Sequence, residues 1–589
     1  MIWRCCFALS FVVLTLSLLY AATAARKYSV GRFLGPFQTI FVGVFAAVFI
    51  GLIPPLSEML GGNAGQIASL LLIDLLDTIQ VFTINIGADL ILDNIGSAAE
   101  GLSGSYAVYM FILFCAAPVL TFGFIISLFQ NLVAEIRYLF HFRGDVYAFS
   151  ELNEKALALA ESIRRNHRDA LITFAGVDRS ADDDSGFLER ARELDAVCFR
   201  KEIDAIRLER HGNKKQLNLF AIGSDDSESL LQALRLVERY SMRENTSLYV
   251  FSTGTEGELL LSGSMDGCLK IRRVNEVRSL VYRFLHDDGY SVFKNALPAS
   301  PDCRRIKAVI VGLGRYGTEM LKALTWFCQM DGYTVELHAF DKDELAWERF
   351  AARCPELVGG GSDGSPYDIH IHAGVDVTTK CYADEIAALK GVTFALVCLG
   401  NDRDNITHAV DLRMLFERNG SKPVIKSVVY NTDEIDALSG ITNYRGQAYD
   451  VDFIGGLESS CSEEVIINSE LEKLALARHL KWGTENEFWR YEYNYRSSMA
   501  SAVHMKARIA CGIPGADKRE EDLTPAEEKS IALLEHRRWN AYMRAEGYVY
   551  SGSPDKASRN DLAKMHHDLI PFDQLTEEDK HKDIRVGTQ

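Results

Sequence analysis

The sequence predicts a helical membrane pore region, then α/β protein in two tandem Rossmann-like, doubly wound parallel-sheet domains, then a small, mainly helical C-terminal module. Three observations predict it. Residues 1–142 are strongly apolar, although mean hydropathy over the chain is −0.02. Beyond them, short apolar runs alternate with helical segments twice over, the pattern of buried parallel strands. Between one such run and its helix stands a full G-x-G-x-x-G at Gly312, Gly314 and Gly317. At 589 residues the chain is too long for one core,. The expected boundaries are 1–142, 143–300, 301–460, a helical linker at 461–523, and 524–589.

In the membrane part, Phe7–Ala25 is either a cleaved signal peptide or a first span,. Further spans are expected near 36–56, stopping at Pro54-Pro55, and near 106–131. Arg26, Lys27 and Arg32 precede the second run, Arg137 and Arg143 follow the last, and no Lys or Arg lies between Arg32 and Arg137. Basic flanks stay inside, so two crossings enclose an outer segment. The apolar stretch 66–92 carries Asp74, Asp77 and Asp89, and must return without crossing, as a re-entrant loop,. The same topology favours an uncleaved first span. Thr83-Ile-Asn-Ile-Gly-Ala-Asp89 is the candidate ion filter, with Thr83, Asn85, Gly87 and Asp89 at the pore,. It departs from the potassium pattern T-V-G-Y-G-D by an extra residue and a missing tyrosine and first glycine. The competing reading is an amphipathic helix packed between spans. Two spans cannot enclose a pore alone, so a pore requires a homotetramer in the bilayer, passing monovalent cations.

The net charge of −17 argues against nucleic acid as a partner,. The 12 cysteines show no C-x-x-C pair or zinc spacing, which suits reduced thiols,.

The first soluble domain begins with Asp145–Ser150 and a helix at Asn153–Arg164, but its first turn, Phe149-Ser-Glu-Leu-Asn153, lacks the glycines. It is expected to bind no dinucleotide in the usual way. In the second domain Ala308–Val311 is the strand before the glycines. Gly312 makes the turn, Gly314 admits a pyrophosphate, and Gly317 lets the helix pack on the strand. The helix N-terminus, with Arg315 and Tyr316, faces the anion. The next strand ends on Asp341, placed to hold a ribose hydroxyl,. Asp376, Gly400 and Asn401 follow later strands and complete the expected cleft. Its expected cofactor is NAD(H) or another adenine nucleotide; an empty structural Rossmann unit is the alternative. His370 and His372 alternate with apolar residues and read as one face of a strand, not as metal ligands. No Ser-Tyr-Lys or acid–histidine set suits hydride transfer or hydrolysis, so no enzyme is expected.

A pore followed by tandem Rossmann units resembles the channels with regulator-of-potassium-conductance domains, the Castor and Pollux type above all. Ile125–Arg137 followed by Val146-Tyr-Ala-Phe-Ser150 is similar to that family's inner helix and first strand. The resemblance implies a multi-pass cell-membrane channel with cytoplasmic Rossmann domains.

Thr524-Pro525 reads as a helix start,. Glu535, His536 and Trp539, then Gly547, Tyr548, Tyr550 and Gly552, then His566 or His567 with Leu569, Pro571 and Phe572, and Lys580 resemble the ryanodine receptor repeat domain. That resemblance implies a sensor for a nucleotide-derived signal, ADP-ribose-like or cyclic. Trp539 and Tyr550 would stack a base, while His536 and Arg537 or Arg538 meet phosphate, with Tyr548 and Pro571 in the same site. The alternative is that these aromatics are the module's core.

Overall fold

The computed structural model describes residues 2–27, 34–59, 67–83, 103–140, 144–177, 186–208, 215–223, 225–254, 267–358, 367–431, 442–467 and 469–588. They form two compact units: residues 1–142 with 173–202, and residues 143–172 with 203–589.

The first unit holds α1 (Ile2–Lys27), α2 (Leu34–Met59), α3 (Ile67–Phe82) and α4 (Ser103–Phe140). Within them Ile2–Tyr20, Thr39–Met59 and Ser103–Phe122 are long and apolar enough to cross a membrane. At about 1.5 Å per residue, the 16 residues of α3 reach about 24 Å, short of a hydrocarbon core of about 30 Å,. The rest of the expected re-entrant loop, 84–92, lies outside the described residues. Small residues let α1 and α2 approach closely: a Cβ on Gly43 would stand 2.3 Å from the Ser17 Cβ, and Ser10 Oγ donates to the Ala47 carbonyl at 2.6 Å,.

One expectation is corrected here. Pro54 and Pro55 do not stop α2, which continues to Met59. Pro55 has no N–H to give the carbonyl four residues earlier, Gly51. The buried Tyr106 hydroxyl of α4 donates to that carbonyl instead.

The first sheet comprises β1 (Val146–Phe149), β2 (Leu171–Phe174), β3 (Val197–Cys198), β4 (Leu217–Ala221), β5 (Thr246–Phe251) and β6 (Lys270–Val274), in the order β3-β2-β1-β4-β5-β6. Helix α5 (Glu154–Asn166) follows β1 and α6 (Asp226–Tyr240) follows β4. Helix α7 (Glu276–Asp288) leads onward.

The second sheet repeats the plan. After β7 (Leu297–Ser300) come β8 (Cys303–Val311), α8 (Arg315–Phe327), β9 (Tyr333–Asp341), β10 (Tyr367–Ala373), α9 (Lys380–Ala388), β11 (Phe394–Val397), α10 (Asp402–Asn419), β12 (Val424–Val429) and β13 (Val451–Gly455). The order is β10-β9-β8-β11-β12-β13, with β7 antiparallel on β8. Both orders are the doubly wound one, which reverses direction beside the first strand and opens a crevice there. Ala308–Val311 of β8 and the whole of β11 are buried on both faces, which is why those stretches read as unbroken apolar runs,.

The C-terminal part holds α11 (Glu470–His479), α12 (Glu485–Arg490), α13 (Glu492–Ala510), α14 (Pro525–Ala545), the pair β14 (Val549–Tyr550) and β15 (Met565–His566), and α15 (Glu577–Gly587). Thr524 closes a capping box with Glu527 ahead of Pro525,. Residues 461–523 are not a free tether. Leu471, Ala475, Phe488 and Val503 enter one apolar cluster with Trp326 and Phe327 of α8 and Tyr542 of α14.

Two glycines of one motif should respond oppositely to a methyl group. A Cβ on Gly317 would stand 1.8 Å from the Gly312 carbonyl oxygen, whereas one on Gly314 meets nothing within 4 Å. Gly317→Ala should lose about 1–3 kcal/mol of stability and Gly314→Ala should stay within about 0.5 kcal/mol of the parent, measured by denaturant unfolding.

Candidate functional site

The carboxyl ends of β8, β9, β10 and β11 open into a cleft of about 500 Å³, within the range of small-ligand sites. Of the residues expected at the cofactor, Gly312, Gly314, Arg315, Tyr316, Asp341, Asp376 and Gly400 line it. Gly312 has φ +94° and Gly400 φ +105°, turns that favour glycine,. Gly314 precedes the first residue of α8, and its open side leaves room for a ligand against the backbone. Asp341 ties the loop down: Oδ2 accepts from Leu313 N at 2.6 Å and Oδ1 from Asp343 N at 2.8 Å. Each oxygen keeps a lone pair for a hydroxyl. Asp376 accepts from the Thr378 backbone N–H and hydroxyl, which hold its carboxyl below the usual range.

Two predicted residues fall elsewhere. Gly317 packs α8 against the Gly312 turn. Asn401 caps α10 by accepting from Asp404 N, so its side chain is occupied. Sequence reading missed Asn405, which accepts from Leu399 N and donates to the Val428 carbonyl at 2.8 Å, clamping the ends of β11 and β12. It also missed Tyr430, whose hydroxyl meets that of Tyr316 at the cleft. Nothing in the local pattern marks either one.

The corresponding turn of the first sheet is filled. Ser150 Oγ accepts from Ile222 N at 2.9 Å, and Asn153 both caps α5 and donates to the Ile222 carbonyl at 3.1 Å. Side chains thus occupy the place where the second sheet has bare glycine.

A second cleft, about 370 Å³, lies in the C-terminal part. His536, Arg538 and Trp539 line it; Arg537, Tyr548, Tyr550 and Pro571 do not. Arg537 instead pairs with Asp331, Tyr548 is buried in the core, and the Tyr550 N–H donates to Glu356 at 2.9 Å. The opposite wall comes from the expected linker: Arg478, Trp482, Tyr493 and Asn494, with Arg559 and Lys582 beside them. The spacing could not show this wall, because α11 and α13 carry no motif of their own.

Five Lys and Arg side chains line this cleft against four carboxylates, in a chain of net charge −17. The carboxylates are largely committed. Glu535 accepts from Arg508 and, through both oxygens, from Arg538. Burial pushes the Glu535 carboxyl up, but the two guanidinium groups prevail and hold it at about 2. Arg538 is 1 % exposed, and its Nη1 has no hydrogen-bond partner among the described residues. Burial opposes charge on His536, yet Asp583 at 3.3 Å and the Ile570 carbonyl at 2.8 Å raise it above its ordinary value. Trp539 stands edge-on to His566 at 4.9 Å, and Lys582 lies 4.5 Å over the Trp482 ring. Flat aromatic faces beside an excess of cations suit a base attached to phosphate.

Of the residues expected at the pore, Thr83 follows α3 directly and its hydroxyl donates to the Gln80 carbonyl at 3.0 Å; Asn85, Gly87 and Asp89 lie outside the described residues. In α3 the carboxylate of Asp74 is fully buried, one helical turn from the buried Thr78. An ionisable side chain within a membrane bundle marks a functional position by default. His370 and His372 do share one face of β10, as expected, and the register adds His338 of β9 beside His370.

No family profile and no curated protein matches the chain. Among solved structures, a crystal structure of a GsuK mutant is 14% identical with a TM-score of 0.34, covering 75% of this chain and all of that one. The GsuK channel bound to NAD is 13% identical, TM-score 0.34, covering 72% and 81%. A dipicolinate synthase chain from Bacillus halodurans is 10% identical, TM-score 0.17, covering 48% and 90%.

The Glu535 cluster sets a pH window. Its folded value of about 2 lies below the ordinary 4.5, so its contribution is present above pH 4.5 and lost as pH falls through 2. Glu535→Gln should cost about 3–5 kcal/mol at neutral pH by leaving two buried guanidinium groups uncompensated. The deficit should shrink between pH 4.5 and 2, followed by denaturant unfolding at each pH.

Proposed function

We propose that this chain is one of the protomers of a ligand-gated cation channel of the cell membrane, potassium being the first candidate ion, controlled by nucleotide-type ligands. The carrying observation is the cleft at the strand ends of the second sheet, where the open Gly314 backbone, the N-terminus of α8 and Asp341 converge. Those three groups match a pyrophosphate and a ribose. NAD(H) or another adenine nucleotide fits them. The C-terminal cleft, cationic and aromatic, is the receptor for a second, nucleotide-derived signal of ADP-ribose-like or cyclic form.

The membrane half of the reading rests on the three apolar helices, on α3 being too short to cross, and on the absence of basic residues between Arg32 and Arg137. With both basic flanks inside, the Rossmann and C-terminal domains are cytoplasmic. Four chains around one axis would supply the pore. Gating then requires only that a ligand bind the conducting and closed arrangements with unequal affinity.

Binding rather than turnover suits the first cleft. Among its described lining residues the one imidazole, His408, leans toward Asp411 at 3.8 Å, and burial pushes the Cys398 thiol up to about 12, far from a reactive thiolate,. A pore-less, membrane-anchored nucleotide sensor is the second reading. The departure of residues 83–89 from the potassium filter pattern favours it.

Recordings from the purified protein in planar bilayers separate the two: cation currents that respond to nucleotide support the channel, and silent bilayers with intact binding support the sensor. Gly314→Glu should abolish NAD(H) binding by filling the cleft, followed by calorimetry. Trp539→Ala should weaken the C-terminal ligand about 10-fold, in keeping with the loss of one stacked base.

A further inference from the structure

Strands β9 and β10 run parallel with His338 level with His370 and Glu336 level with Asp368. Residues two apart on a strand share a face, so Glu336, His338, Asp368, His370 and His372 all project from one side of the sheet edge. The His338 and His370 rings stack at 4.8 Å. One carboxylate oxygen of Glu336 and one ring nitrogen each of His338 and His370 lie within 4.8 Å of one another.

We propose that Glu336, His338 and His370 form a binding site for a divalent transition-metal ion of the zinc class. Two imidazoles and a carboxylate are the donor set such borderline ions select. The surrounding hydrogen bonds orient them. His338 Nε2 lies 2.9 Å from Glu336 Oε1, while its Nδ1 lies 3.1 Å from His372 Nε2. His372 Nδ1 in turn lies 2.7 Å from Glu385 Oε2. The row from Glu385 through His372 and His338 to Glu336 therefore has three short gaps. Two neutral imidazoles supply two N–H groups. One of the three gaps is therefore left without a proton while both rings are neutral, and in the tautomers that point both N–H groups toward Glu385 it is the one between His338 Nε2 and Glu336, where a cation would stand. An imidazolium proton would fill that gap alone; a metal ion would also engage His370, which stands beside it.

Asp368 holds Nε2 of His370 at 3.0 Å, the carboxylate–imidazole arrangement that orients metal ligands,. His338 is 5 % exposed and anchors the site from beneath, whereas His370 is exposed and leaves an entry for the ion. Lys307, 2.9 Å from Glu336 Oε1, is the competing cation and must swing aside or share the carboxylate. Nothing in this site depends on the channel reading.

The test uses the full chain without a histidine tag, dialysed against chelator. Zn²⁺ binding is measured by calorimetry, and Co²⁺ serves as a visible-absorbing stand-in that Zn²⁺ should displace. Expected is one ion per chain at this site, lost in His370→Ala and weakened about 10-fold in Asp368→Asn, where only a positioning residue changes. Both side chains are exposed, so the melting temperature without metal should match the parent and separates lost ligation from lost folding. Unchanged Zn²⁺ affinity and stoichiometry in both variants would assign any bound ion to the His566–Asp568 cluster and overturn the proposal, as would a parent chain that binds no Zn²⁺.

Discussion

Everything at the second sheet follows from the register of its central strand. Val311 of β8 lies level with Phe340 of β9 and Val397 of β11. The chain therefore leaves three adjacent strands at one height. Gly312, Asp341 and the residues before Gly400 emerge side by side, and a cleft forms because no strand overruns its neighbours. The N–H of Leu313 then finds the Asp341 carboxylate, which fixes the glycine loop to the strand it faces. A slip by one residue would turn every side chain to the opposite face and dissolve cleft and core together.

The first sheet shows what the same topology does without the glycines. Ser150 and Asn153 spend their polar atoms on the Ile222 backbone. They stabilise the turn and occupy the place a phosphate would take. One fold thus takes two forms in one chain: a packed turn in the first copy, an open cleft in the second.

The architecture was largely legible in the sequence because its signals are local. Unbroken apolar runs, the glycine spacing and the Thr524-Pro525 start each report on a few adjacent residues. The cleft was legible where residues end a strand or stand just beyond one, as Asp341 and Asp376 do. Asn401 misled because capping a helix and meeting a ligand call for the same residue at the same place. The C-terminal cleft was half legible: His536, Arg538 and Trp539 come from one motif, but Arg478 and Trp482 arrive from a segment whose sequence looks like a tether. Pro54-Pro55 misled for a related reason. The donor that replaces the missing N–H lies on another helix, some fifty residues away. Contacts of that range leave no mark on neighbouring residues.

The shared packing of α8, α11, α13 and α14 carries an evolutionary consequence. The C-terminal cleft does not hang from the chain as a detachable bead. The helices that carry it share an apolar cluster with α8 of the second Rossmann domain, and part of its lining precedes residue 524 in sequence. Recombination that grafted residues 524–589 alone onto another protein would transplant half a binding cavity and an exposed greasy underside. The heritable block is the larger one, and its two clefts are expected to have diversified in step.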